Sequence, residues 1–134
     1  VTHIIGSHPH VIQPMELRTD SITGTQHTVV YSLGNFISNM SKVNTDGGLI
    51  FTLELERDTT TSTSTQVRVQ RCGYNFVWTA RPNFTKEKNY VLYPTDSTSI
   101  SKLPEAARNH LNIFVKNSRK LLQQHNVGIK ENKK

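Results

Sequence analysis

The chain has a single cysteine, Cys72, so no disulfide can form within it. A small hydrophobe packed in a strand is the ordinary role for such a thiol. A reactive thiol is the alternative, with only Arg71 nearby to lower its pKa. Hydrophobic residues are scarce, at 34% of 134 residues, against about 45–50% in typical soluble domains (a range that also counts glycine). One Trp, five Phe and four Tyr allow a modest core. No apolar run approaches the roughly 18 residues of a membrane-spanning helix. Position 1 is Val, and no charged and apolar leader opens the sequence.

Acidic side chains are also few: ten, against sixteen Lys and Arg, for a net charge of +6 and a pI near 9.7. Much of the excess collects near the end, at Lys116, Arg119, Lys120, Lys130, Lys133 and Lys134. Such a cluster fits nucleic acid or an anionic membrane, or else a solvated helix face with a frayed terminus. Aromatic residues do not interleave with basic ones in the way that stacks bases, so nucleic-acid binding is not favoured.

What is present is a run of chemistry-bearing residues near the start. Gly6-Ser7-His8-Pro9-His10-Val11-Ile12-Gln13-Pro14 follows the apolar pair Ile4-Ile5. Two imidazoles stand at what reads as a strand exit, where α/β folds keep their chemistry. Neutral imidazoles ligate zinc, manganese or iron. Alternation along an extended chain would point both the same way, with Pro9 stiffening the backbone between them. An H-x-H pair alone is also common in purely structural use. His3 reads as a structural or edge residue at the start of the first strand and His27 as a surface residue opening the second, while His110 and His125, on the terminal helix, have no neighbouring carboxylate at ligand spacing.

A second block, Tyr31-Ser32-Leu33-Gly34-Asn35-Phe36, ends a β-branched and aromatic run from His27 to Phe36 that reads as a strand. Asn35 either orients a ligand or touches substrate, or it is a left-handed turn residue that stabilises the bend. Gln13 either hydrogen-bonds near the site or caps the strand exit.

Periodicity places the remaining elements. Thr2–Ser7 reads as a short buried strand, and Met15 and Leu17 as a brief edge strand in an otherwise irregular 14–27 segment. Residues 38–48 read as a loop. From Leu49 to Arg57, Leu49, Phe51, Leu53 and Leu55 alternate with a polar face. Residues 59–65 are seven consecutive Thr or Ser, read as an exposed connection or hairpin end, with a glycosylated stalk as the sharper option. Gln66–Arg71 is expected to pair back on the preceding strand, with Gly73 marking a bulge. Tyr74–Thr79 and Tyr90–Tyr93 read as further strands. From Leu103 the period becomes helical: Ala107, Leu111, Phe114, Val115, Leu121 and Leu122 form one stripe, broken by Ser118. Pro104 suits the first turn, and Gly128 lies beyond a helix end near Gln124. Three parts follow: a strand-rich region 1–98, an amphipathic helix over 99–126, and a basic tail 127–134.

The two blocks together, G-S-H-P-H-V-I-Q-P and Y-S-L-G-N-F, resemble the C-terminal part of CapA-type poly-γ-glutamate capsule-biosynthesis proteins. These are similar to the calcineurin-like metallophosphatases. The resemblance is specific over about residues 1–57. It implies an α/β fold of the four-layer type, two packed sheets flanked by helices, of which this chain supplies later strands and one C-terminal helix. It implies that His8 and His10 are metal ligands, from the G-H-x-H-like block that closes a dinuclear site, with Gln13 and Asn35 near substrate or behind the ligands. Divalent ions, two in number and of the Mn, Fe or Zn type, would be the cofactors. The family's earlier ligand blocks have no counterpart here, and no residue is assignable as nucleophile. A dinuclear site needs ligands from several loops, so the chain reads as a fragment that is inactive in isolation.

The resemblance further implies an anionic polymer or phosphate-type substrate and a cell-envelope or extracellular setting, with self-association through an exposed sheet edge as another expectation. The alternative is a non-catalytic polymer- or glycan-binding module, suggested by the Ser/Thr run and by exposed aromatics such as Trp78.

Overall fold

The computed structural model describes residues 2–57, 59 and 67–132. The chain is mixed α/β, built mainly of strands in two sheets with a long helix near the end. Strands β1 (His3–Ile5), β2 (Met15–Thr19) and β3 (Gln26–Val30) form the first sheet, in the order β1-β3-β2. β1 runs parallel to β3, with His3 opposite Thr28 and Ile5 opposite Val30, while β2 and β3 form an antiparallel hairpin. Asp20 closes that hairpin: its carboxylate accepts from the N–H groups of Ile22 and Thr23, which hold its pKa below the usual carboxylate range.

The second sheet is a long hairpin of β4 (Gly47–Arg57) and β5 (Val67–Ala80), with β6 (Val91–Pro94) and β7 (Lys130–Glu131) pairing one after the other along the far edge of β5. The alternation predicted from Leu49 holds as far as Glu54: Leu49 is buried, Phe51 and Leu53 are half-buried, and Ile50, Thr52 and Glu54 face out, whereas Leu55, expected on the inner face, is exposed past the register shift. Most of the Ser/Thr run lies outside the described residues. The strands on either side of it pair antiparallel out to Arg57 and Val67, so it connects a hairpin.

Short helices α1 (Pro82–Thr85) and α2 (Ser97–Ser101) were not visible as periodicity; each is too brief to show a stripe. α3 (Glu105–His125) follows Pro104 and buries Ala107, Leu111, Phe114, Val115, Ser118 and Leu122, the predicted face with its one polar member. The core joins both sheets and α3: Met15 and Val30 from the first, Phe76 and Trp78 from the second, and Leu111 and Phe114 from the helix. Phe114 meets Phe76 edge-on, with ring centroids 6.3 Å apart. Its ring edge also lies where a side chain on Gly47 would point, so only glycine fits there.

Several expectations are corrected. β1 is not buried: Ile4 and Ile5 are each 52% exposed, because β1 is the sheet's outer strand and is paired only on its β3 side. β3 ends at Val30 rather than Phe36, because the chain there leaves the first sheet for the second. Leu33 bridges Ile12, and Gly34 bridges Gly48. Gly73 is not a bulge; the register shifts between Glu54 and Leu55, leaving Gln70 unpaired opposite. A side chain on Gly73 would instead strike Asn132 of the returning tail.

The frayed terminus is also corrected, for residues 126–132. Val127 exchanges backbone hydrogen bonds with β2, accepting from Leu17 and donating to Met15. Asn126 accepts from the Met15 N–H through its side chain at 2.9 Å. Ile129 is buried, and β7 pairs with β5. Glu131 receives a two-pronged contact from Arg119 at 2.7 and 2.8 Å, which raises the Arg119 pKa. The tail thus stitches one sheet to the other.

Candidate functional site

The two sequence blocks interlock at the crossing between the sheets. β1 leads into Gly6, whose N–H donates to Val30 O at 2.8 Å and whose carbonyl accepts from Leu33 N–H at 3.0 Å. A side chain on Gly6 would lie 2.6 Å from the Tyr31 carbonyl, so the close approach requires glycine. The Ser7 hydroxyl donates to Gly34 O at 2.9 Å. On the far side of the histidine turn, Gln13 N–H donates to Ser32 O at 3.1 Å. Each end of the G-S-H-P-H turn is therefore held by the Y-S-L-G-N-F block, 25 or so residues away in sequence.

The histidines do not lie along an extended chain, as alternation predicted. His8 and Pro9 form a turn, and His10 sits in the left-handed region at φ 61°, which histidine adopts more readily than most side chains. Proline at position 9 and the bonds at each end bend the segment instead of extending it. Both histidines are exposed.

His10 and Asn35 meet: Nδ1 of the ring lies 2.7 Å from Asn35 Oδ1. Asn35 is 6% exposed. Its backbone N–H donates to Gly47 O at 3.0 Å, and its side-chain amide donates to Thr45 O at 2.7 Å. Of the two roles open for Asn35, the left-handed turn position belongs to its neighbour Gly34, at φ 79°. Asn35 instead supports the ring of His10. Gln13 is half-buried, and among the described residues its side chain makes no hydrogen bond; its part is the backbone contact to Ser32.

Among the described residues no group of three or more His, Cys, Asp or Glu comes together. His8 and His10 fit the donor chemistry of a divalent metal as two members of a larger set. The nearby carboxylate Asp46 is engaged elsewhere, accepting from Trp78 Nε1 at 2.9 Å. His3 lies on β1 with its Nδ1 buried and unpartnered, and His110 stacks on Phe84 with centroids 4.6 Å apart. Cys72 packs against the core, and burial pushes its thiol pKa up, as suits the packing role.

Trp78 is not an exposed aromatic. It is fully buried between Phe84 and Tyr93, which removes it from the glycan-binding argument. Sequence reasoning missed Ser7 and Thr45 as parts of the site. Ser7 lay inside the motif, whereas Thr45 acts through its carbonyl, which no residue type announces.

A model of the family described as bacterial capsule synthesis protein PGA_cap matches residues 1–40. The match spans both interlocked blocks and ends at Met40. No curated protein and no solved structure matches the chain. Among the described residues, no helix is long and apolar enough to cross a membrane.

Proposed function

We propose that this chain carries one corner of a metal-dependent, hydrolase-type site in a capsule-synthesis protein of metallophosphatase-like build. His8 and His10 are the metal ligands it contributes, and Asn35 holds the ring of His10. The single observation that carries the reading is the 2.7 Å contact between His10 and Asn35, which joins the two motif blocks behind an exposed imidazole. A ligating histidine is characteristically supported in this way through its other nitrogen. The match of residues 1–40 to the capsule-synthesis family supports the setting. A bound divalent ion supplies Lewis acidity and lowers the pKa of its water. The chain's own part is to bind and orient: a turn fixed at both ends presents two imidazoles from one rigid corner. The remaining ligands come from outside the described residues, so the chain by itself does not turn over substrate. The substrate class is an anionic or phosphate-type group of a cell-envelope polymer.

The test is a titration of the chain with Zn²⁺ or Mn²⁺, followed by ring NMR signals of histidine. Signals of His8 and His10 should move together, and each single alanine variant should weaken the response of the other. Equal responses at His27 and His125, with none at His8 and His10, would remove the proposal.

A further inference from the structure

We infer that Asn35, held by the Thr45 carbonyl, locks His10 in one tautomer, so that Nε2 is its only basic nitrogen. The hydrogen-bond chemistry leaves one consistent arrangement. A backbone carbonyl only accepts. Asn35 Nδ2 lies 2.7 Å from Thr45 O and 3.6 Å from Met40 Sδ, and both neighbours are acceptors. The amide nitrogen therefore belongs on that side, and the amide oxygen faces His10. That oxygen also only accepts, so His10 Nδ1, 2.7 Å away, must carry the proton and donate it. The lone pair of the neutral ring is then on Nε2, at the exposed residue.

The lock is anchored in the core. The Thr45 N–H and hydroxyl both donate to Lys42 O, at 3.1 and 2.7 Å. The next residue, Asp46, accepts from the indole of buried Trp78 at 2.9 Å and, through its carbonyl, from Thr79 N–H at 2.8 Å. The carbonyl at the end of the chain of bonds is thus fixed before any ligand arrives. Thr45, in the 38–48 segment read from sequence as a loop, becomes part of the site. Asn35 is a positioning residue, acting through His10.

The inference goes beyond the metal reading, because the tautomer belongs to the free protein whether or not metal binds. It also narrows what His10 can meet. A neutral ring with a bare Nε2 accepts a cation or a hydrogen-bond donor, and it offers nothing to an anionic oxygen. A divalent ion fits; a phosphate or carboxylate oxygen binds at that atom only when Nε2 is protonated as well.

The test is long-range ¹⁵N–¹H correlation of the chain labelled in histidine, at about pH 8, above the ordinary histidine pKa. His10 should show the Nδ1–H pattern. His8 and His125, exposed and without a side-chain partner among the described residues, should show mainly the Nε2–H form that a free imidazole prefers in water. Asn35→Leu should return His10 to that reference pattern. If this variant does not fold, the wild-type spectrum decides alone: Nε2–H at His10, or the same mixture as His8, overturns the lock. Added Zn²⁺ separates the two readings. A His10 that keeps its Nδ1–H pattern, with an Nε2 signal that Zn²⁺ does not move, leaves the lock standing and removes the metal proposal.

Discussion

Replacing Gly34 with alanine tests the crossing on which the site rests. Gly34 has φ 79°, and an added Cβ would lie 2.8 Å from Gly47 O and 3.0 Å from Ile12 Cγ1. Two costs combine. The left-handed backbone costs an alanine about 1–2 kcal/mol, of which the stiffer unfolded chain returns about 0.4–1. Overpacking against a fixed backbone oxygen adds about 1–3 kcal/mol. Gly24 separates the two, because it has φ 70° but nothing within 4 Å of its would-be Cβ. Gly24→Ala should therefore cost only about 1 kcal/mol, and Gly34→Ala about 2–4 kcal/mol. At about 4 °C per kcal/mol for a chain of this size, the melting temperature should fall by about 8–16 °C in Gly34→Ala and by about 4 °C in Gly24→Ala. Urea unfolding followed by far-UV circular dichroism, with equal slopes in all three proteins, gives the comparison. A Gly34→Ala variant no less stable than Gly24→Ala would refute the close approach of the two sheets at this point.

Other perturbations read other parts of the fold. Phe114→Ala empties the space between α3 and Gly47 and should cost about 3–5 kcal/mol by the same urea assay. The Tyr74 hydroxyl is pushed up to about 12, first by burial and then by nearby Glu131. The unfolded chain then loses this proton at lower pH than the folded one, so stability should be full below pH 10 and fall between pH 10 and about 12. Tyr74→Phe should flatten that decline in urea midpoints measured across the range. Glu131→Gln breaks a partly exposed ion pair and should cost under about 1 kcal/mol, with the loss shrinking in high salt. The Cys72 thiol should react with a disulfide reagent more slowly than a peptide thiol at equal pH, and unfolding in urea should abolish the difference.

Elements governed by a repeating period were legible in the sequence. The stripe from Ala107 to Leu122 was read correctly, and the alternation from Leu49 was read correctly as far as Leu53, because each buries one face over several residues; Leu55, placed on the same face, is 48% exposed beyond the register shift. Elements defined by a single contact were not. β7 is two residues long and exists because Asn132 and Lys130 reach the Gly73 region of β5. The end of β3 at Val30 was equally hidden, since Tyr31 and Phe36 favour strands by residue type, yet the chain must cross to the second sheet at Gly34. At the site, the histidines and Asn35 were identifiable as chemistry, and their juxtaposition was not: His10 and Asn35 lie 25 positions apart. The burial of Trp78 was misread for a similar reason, its partners Tyr93 and Asp46 lying 15 and 32 positions away and Phe84 beyond the break at Pro82.

The return of residues 126–132 has a consequence for how the protein is made. A ribosome delivers the chain in order, and the β2–β3 hairpin emerges early with one edge of β2 unpaired. That edge gains its partner only when Val127 arrives, and the bond from Met15 to Asn126 spans 111 positions. Helix α3 likewise has no ion-pair partner for Arg119 until Glu131 follows it. The sheets can already meet at Gly34 and Gly48 by then, but this second tie between them is missing during most of synthesis, and long-range closure of this kind is slow. A stalled or clipped product ending before Asn126 would keep both sheets and still present the open edge of β2 to the cell's quality control.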